Sequence, residues 1–472
     1  MQGLAAFTKN TFLFYSSIFL LLLAGIFISG YNGLYGQDSY EYARYALGWK
    51  QFFLHGILPG DYFWPVLYPL LGGILSLALP VQYALLLISM ASMLGCALLM
   101  EKIVSQKFDV SPLRSRQYTV VLMLLSPILL RSSLTCMSDS LAIFFVLLAW
   151  RSFQLLTVSF SRKNLFLFVF AATASVMTRY ACILLVVVPA GVIAVQYIRK
   201  LKPLDFLFLF LFLFLPAIPH LLVRHAQPLA FLHSAWMQAW SPMNFLRSGF
   251  HNQNGNYQYQ VQNIVYAFLG FFHPGFVCCG VLLFFWWKTI DWKQGFNRLL
   301  VLSICIYSLF LAGIPFQNLR FIIPAVPLFL ILFFPVYRAA LGNVKACTLL
   351  IVFGVAVIQL GLFARALYPF YKANSEERAI ASQCASLPSR SLYTFSIDGA
   401  LKFYGITLQP ENLWDKKLDS IRANSYLLFN LPLFEKEYAG KNPMLNYEYI
   451  RTHSQLHKLK QLQGGWILYE IR

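Results

Sequence analysis

Between residues 11 and 363 the chain is a series of apolar runs separated by short polar stretches, and no other feature constrains the fold as tightly. The runs fall at 11–30, 80–100, 118–130, 141–156, 165–178, 181–198, 205–222, 263–287, 299–315, 321–337 and 346–363. A helix needs about 20 mostly apolar residues to cross the hydrocarbon core of a bilayer. The expectation is a polytopic α-helical membrane protein of about eleven spans, several of them short. Composition agrees, with 58% of residues hydrophobic and 12% charged, whereas soluble domains carry about half and about a quarter. Residues 165–198 are read as two spans, because one helix of that length would reach roughly 50 Å. The break is placed at Thr178-Arg179-Tyr180. The first run lacks an A-x-A-like exit, so it reads as a retained span rather than a signal peptide.

The net charge of +19 does not point to nucleic acid. Lys and Arg sit in small clusters between apolar runs, the pattern of cytoplasmic loops under the positive-inside rule. With the N-terminus inside, the inner loops hold fifteen Lys and Arg and the outer loops seven. This orientation puts the tail after residue 363 outside, on the periplasmic or lumenal face. The eight cysteines include no CxxC pair, and six lie in apolar runs, where Cys behaves as a small hydrophobe. Neither a disulfide framework nor a zinc site is expected.

Beyond residue 371 the texture changes. This segment holds ten of the eighteen acids, and its apolar runs, "SLYTFS", "SYLLFN" and "WILYEI", are short. Helix-like stretches such as "LFEKEYAG" and "THSQLHKLKQLQ" separate them. The expected organisation is a transmembrane domain over 1–363, including an outer loop at 31–65, and a small α/β domain over 364–472 folded in water.

Only eight acids fall in the first 363 residues, and two of them, Asp38 and Glu41, stand in "GQDSYEYARYA". If that stretch is helical, Asp38, Glu41, Tyr42 and Tyr45 share a face. Asp38 followed three residues later by Glu41 fits a capping box. A carboxylate at the membrane surface also suits a general base that takes the proton of an attacking hydroxyl. The two roles are compatible. Further along, "GDYFWPVLYPLLGGILSLALP" places Asp61 before an aromatic, proline-rich segment in which Tyr68 lies between Pro65 and Pro69. Such prolines suit a partly re-entrant segment lining a cavity better than a plain span.

An N-in first span, an acid-led outer loop and the "PVLYPLL" stretch together resemble the GT-C membrane glycosyltransferases. The resemblance is strongest to the branch of protein O-mannosyltransferases and the lipid A aminoarabinose transferase. It covers the architecture of nearly the whole chain, with specific motifs over about forty residues. The resemblance implies a lipid-phosphate sugar donor and Asp38 as the base. Many relatives have Asp-Glu where this chain has Asp38-Ser39, and Pro-Pro where it has Pro65-Val66. Glu41 is a candidate to replace the missing acid across one helical turn.

Other candidates follow from charges placed against an apolar background. "RSSLTCMSDSLA" carries Arg131 and Asp139 before the fourth span; Ser138 or Asp139 suits a helix cap, and Asp139 also suits a sugar hydroxyl or a charged acceptor group. "FQNLRFIIPAVPLFL" resembles the family's late-span pattern. There Arg320 either snorkels to the interface or pairs with the donor phosphate, whose oxygens a guanidinium matches bidentately. Arg179 interrupts an apolar stretch, and an arginine deep in a membrane costs roughly 2.5–3.5 kcal/mol or more, so a purpose such as phosphate binding is expected. Loop 223–262 is rich in amides and aromatics, and its His225 and His233 lack the spacing of a metal site.

The expected reaction is an inverting transfer of a monosaccharide from a polyprenyl phosphate to a hydroxyl of a lipid, polysaccharide or protein. Asp38 serves as base, with Arg320, Arg179 and Arg131 on the phosphate and Glu41, Asp139, Asp61 and Tyr68 around the substrates. The leaving group is already good and carries one phosphate, so no cofactor is required and a divalent metal is not indicated. The expected location is a bacterial inner membrane. Two alternatives remain open at this stage. One is an O-antigen polymerase or ligase, which shares the Arg- and His-bearing outer loop; the other is a transporter, which buried acids within spans would favour.

Overall fold

The computed structural model describes residues 11–472 apart from 61, 225–228, 253–254, 278, 342–345, 414–417 and 442. The helices that carry the bundle are α1 (Thr11–Ser29), α2 (Gly36–His55), α3 (Leu67–Leu75), α4 (Val81–Phe108), α5 (Pro112–Thr119), α6 (Pro127–Ser133), α7 (Asp139–Val158) and α8 (Arg162–Thr178). They continue as α9 (Ile183–Tyr197), α10 (Pro203–Val223), α11 (Asn263–Leu269), α12 (Cys279–Trp286), α13 (Gly295–Gly313), α14 (Val326–Leu341) and α15 (Ala346–Cys384).

Among the described residues, seven helices are long and apolar enough to cross a membrane, against the eleven expected. Two of the anticipated spans are broken. The run at 118–130 ends its first helix in a π turn over Val120–Leu124 and restarts at Pro127. The run at 263–287 breaks into α11, two 3-10 turns around His273-Pro274, and α12. Proline lacks the N–H for an interior helical bond and pushes the preceding residue out of the α region. At the second break, His273 Nδ1 accepts from the Gly275 amide at 3.0 Å, and Ser126 Oγ donates to the Gly275 carbonyl at 2.6 Å. The first break thus supplies a hydroxyl to the backbone of the second.

Helix α2 supplies the first loop's structure. Its start is fixed by Ser39, whose Oγ lies 2.6 Å from the amide of the N-cap residue Tyr35 and 2.6 Å from its carbonyl. Its end is a left-handed Gly56, whose amide donates to Phe52. Tyr42, Ala43, Tyr45, Ala46 and Trp49 form its buried face. Short α3 lies close against it: a Cβ at Gly73 would stand 2.5 Å from that of Trp49 and 2.9 Å from the Ala46 carbonyl. Toward the far end of α4, Arg116 on α5 grips buried Glu101 through two nitrogens at 3.0 and 3.1 Å, tying the helices together there.

Helix α15 runs unbroken through residue 363 to Cys384. Beyond it, β3 (Ser391–Thr394), α16 (Asp398–Phe403), β4 (Gln409–Asn412), β5 (Ser425–Phe429), α17 (Leu431–Tyr438), α18 (Pro443–His453), β6 (Leu456–Gln461) and β7 (Ile467–Ile471) form one mixed sheet with its helices. The strand order is β4-β3-β5-β7-β6, with β3 parallel to β4 and β5 and the other pairs antiparallel. Strands β3 and β5 are buried along their whole length, the pattern of strands covered on both faces. One expectation fails here. "LHKLKQ" within the helix-like stretch is strand β6, paired with β7 at the sheet edge. A small two-stranded hairpin, β1 (Gly249–Asn252) and β2 (Gly255–Gln258), occupies part of loop 223–262. Lys441, between α17 and α18, sits 4.0 Å over its Tyr257 ring.

Candidate functional site

Four charged residues that the sequence scatters over nearly three hundred positions meet at one end of the bundle. Asp38 lies in the first turn of α2, Asp139 in the first turn of α7, Arg179 in the gap between α8 and α9, and Arg320 in a 3-10 turn just before α14. Arg320 joins both acids. Its Nη1 donates to Asp38 Oδ2 and its Nε to Asp139 Oδ2, each at 2.6 Å. Arg179 pairs with the other oxygen of Asp139. The two acids and two arginines balance in charge.

Burial differs across the cluster and orders its roles. The Asp139 side chain is 1% exposed, Arg179 15%, Arg320 19% and Asp38 39%. Asp139 is thus the buried anchor, where two guanidiniums offset the desolvation of its charge, and the helix N-terminus adds a favourable dipole. Asp38 is its open counterpart, reachable by a ligand.

Each member is held by local structure. The gap at Arg179 is the break expected at Thr178-Arg179-Tyr180; Arg179 is extended there, and its guanidinium lies 5.5 Å from the Phe321 ring. The turn bearing Arg320 is capped by Asn318, whose side chain accepts from the Arg320 amide at 3.0 Å. Tyr266 and Tyr307 donate to the carbonyls of Asn318 and Phe321 at 2.5 and 2.7 Å. The two tyrosine supports have no signal in the sequence, because each acts through a backbone atom of a turn outside its own helix.

The remaining candidates fall elsewhere. Asp38 does not cap α2, since the cap is Tyr35 and the reciprocal bond comes from Ser39. Neither does Ser138 or Asp139 make a side-chain cap of α7; the Ser138 hydroxyl is 2.9 Å from that of buried Tyr42. Glu41 pairs with Arg44 on its own helix at 2.8 Å rather than with the cluster. Tyr68 is fully buried, not a lining residue. Its hydroxyl donates to the Leu85 carbonyl at 3.0 Å and lies 2.9 Å from Ser89 Oγ, while its ring supports Tyr42 edge-on. Arg131 lies on α6 with its guanidinium 4.7 Å from the Phe370 ring. Among the described residues, no carboxylate pairs with it. Asp61 and His225 lie outside the described residues. Among those described, no group of three His, Cys, Asp or Glu residues gathers as metal ligands.

The apolar bundle, with this partly exposed set of acids and arginines between helix ends and a mixed-sheet unit beside it, has a GT-C fold. The fold is that of ArnT, the lipid A aminoarabinose transferase. The crystal structure of ArnT from Cupriavidus metallidurans in the apo state is similar with a TM-score of 0.62 over 98% of both chains, at 13% identity. The structure of the same protein bound to undecaprenyl phosphate gives 0.60 over 97% of both chains, at 12% identity. At such identities the likeness is one of fold. No protein-family model and no curated protein sequence matches the chain.

Proposed function

We propose that this chain is an inverting glycosyltransferase that moves a monosaccharide from a polyprenyl phosphate to a hydroxyl acceptor at the outer face of a bacterial inner membrane. The observation that carries the reading is Arg320 shared between buried Asp139 and open Asp38. A guanidinium already aimed by Asp139 is placed to bind phosphate oxygens bidentately. The solved ArnT complex with undecaprenyl phosphate supports a lipid of this chemistry as donor carrier.

In this reading the donor phosphate takes the Arg320 Nη1 contact now held by Asp38. The displaced carboxylate then accepts the acceptor hydroxyl's proton as that oxygen bonds to the anomeric carbon. The bond from that carbon to the phosphate oxygen breaks, and its electron pair leaves with the phosphate. Arg320 offsets the charge that develops there, the preorganised electrostatic term that contributes most in many enzymes. Because the four-residue cluster is balanced in charge, an incoming phosphate needs a further cation, and Arg131 is assigned to it. Arg179 acts one step back, by holding Asp139. The arginines do the work for which a divalent cation would otherwise serve.

With the N-terminus inside, residues 364–472 lie outside the membrane, and the exposed apolar helices face lipid. The test is to incubate the purified protein with a panel of polyprenyl-phosphate sugars and crude membrane acceptors and follow sugar leaving the donor. Transfer with one donor supports the reading and names the sugar. Failure to bind any donor or its polyprenyl phosphate product would overturn it.

A further inference from the structure

Helix α2 carries Asp38 on the face that meets Arg320, and a second face of the same turn is held from the opposite side. Gln37 and Tyr40, three residues apart and so neighbours on one helix face, both bond to residues beyond position 370. Gln37 Nε2 donates to Asp398 Oδ1 at 2.6 Å. The Tyr40 hydroxyl donates to the Glu377 carboxylate. Asp398 opens α16, is buried, and also accepts from Asn412 Nδ2 at 2.9 Å, so it is fixed to strand β4. Glu377 lies on α15.

The loop leading into α2 is held by the same two helices. Asn374 Nδ2 donates to Asn32 Oδ1 at 2.6 Å and to the Leu34 carbonyl at 3.0 Å. Asn32 Nδ2 donates to the Tyr404 hydroxyl at 3.1 Å, and the Tyr35 ring stacks on Phe370 at 3.6 Å. The fit is close, since a Cβ on Gly399 would overlap the Gln37 amide oxygen.

We propose that Asp398 and Glu377 are positioning residues for Asp38, holding the first turn of α2 through Gln37 and Tyr40 at the rotation that sets the Asp38 carboxylate against Arg320. The proposal rests on the transfer reading above for its catalytic consequence. With a side-chain tip 5–6 Å from the helix axis, a rotation of about 10° displaces it by roughly 1 Å. A misplacement of about 1 Å costs on the order of a hundredfold in rate when the reacting geometry depends on it. A contact that only attaches the sheet unit to the bundle has no such effect once the protein is folded.

The test uses full-length purified protein with Asp398→Ala, Asp398→Asn, Gln37→Ala, Gly399→Ala and the Gln37→Ala/Asp398→Ala double variant. Asp398→Ala is expected to lower kcat about tenfold to a hundredfold while the donor KM stays within about twofold. Asp398→Asn keeps the oxygen that accepts from Gln37 and should recover most of the rate. The double variant should be no slower than the worse single one, the non-additivity of residues that act as a pair. Gln37→Ala leaves the bonds of Asp398 to the sheet untouched, so it reports on the pair even if Asp398→Ala folds poorly. Gly399→Ala pushes the Gln37 amide aside by adding an atom and should act in the same direction. Equal kcat in Gln37→Ala and wild type, or strictly additive losses in the double variant, would overturn the proposal.

Hydrogen exchange gives an arm independent of turnover. Amides of residues 36–42 should exchange faster in Gln37→Ala than in wild type, with those of the first turn of α7 unchanged. No difference over 36–42 overturns positioning. If wild type binds no donor and no polyprenyl phosphate, the transfer reading falls while exchange still decides this one.

Discussion

Arg320 Nε and Asp139 Oδ2 stand 2.6 Å apart, in a pair whose carboxylate is fully buried and also holds Arg179. Asp139→Asn removes the counter-charge of two guanidiniums at once. Breaking a buried ion pair from one side costs about 3–5 kcal/mol, so the variant should unfold at markedly lower temperature in detergent. Thermal unfolding followed by near-UV circular dichroism checks this, and an unchanged midpoint would contradict the anchoring role of Asp139.

Arg320→Lys should fail despite keeping the charge. An ammonium is a compact point charge, whereas the guanidinium reaches two carboxylates from two separate nitrogens. Binding of undecaprenyl phosphate is expected to weaken about tenfold or more, the consequence of losing about 1.4 kcal/mol or more. Calorimetric titration of the purified protein measures it.

Glu41→Gln should be nearly silent. The Glu41–Arg44 pair lies on one helix with both side chains partly exposed, and such pairs contribute about 0.2–0.5 kcal/mol. Turnover and thermal midpoint should match wild type. A large loss of turnover would return Glu41 to the site.

Incubation with a chelator should leave turnover intact, because the reading assigns charge neutralisation to Arg320 and Arg131. Loss of activity restored by added divalent cation would place a metal in the mechanism.

The individual charges of the site were legible in the sequence, and their pairing was not. Asp38 and Asp139 stand out because acids are scarce before residue 363, Arg320 because it opens a late apolar run, and Arg179 because an arginine in an apolar stretch is expensive and so has a reason to be there. Which acid meets which arginine depends on how α2, α7 and α14 pack, and no local spacing encodes that. Glu41 shows the same limit in reverse: its acid was visible, but a partner three residues away on its own helix took it up. Tyr68 sits in a segment whose prolines drew the eye to a cavity, yet the ring is enclosed against α4.

The broken helices were half legible. Pro127 and Pro274 stand at the breaks, but the surrounding apolarity outweighs them in the hydropathy pattern, and the bond from Ser126 to the Gly275 carbonyl joins positions 149 apart. Strand β6 was missed for a related reason. Its Lys458 and Lys460 give a polar stretch that reads as a helix, whereas charged side chains on an edge strand discourage pairing with another chain.

The most direct test of the central claim compares wild type with Asp38→Asn for sugar release and for undecaprenyl phosphate binding. If Asp38 is the base and yields Arg320 to the phosphate, the variant loses turnover by about a hundredfold or more and binds the lipid phosphate at least as tightly as wild type. Turnover that survives in Asp38→Asn, or binding that collapses with it, would contradict the account.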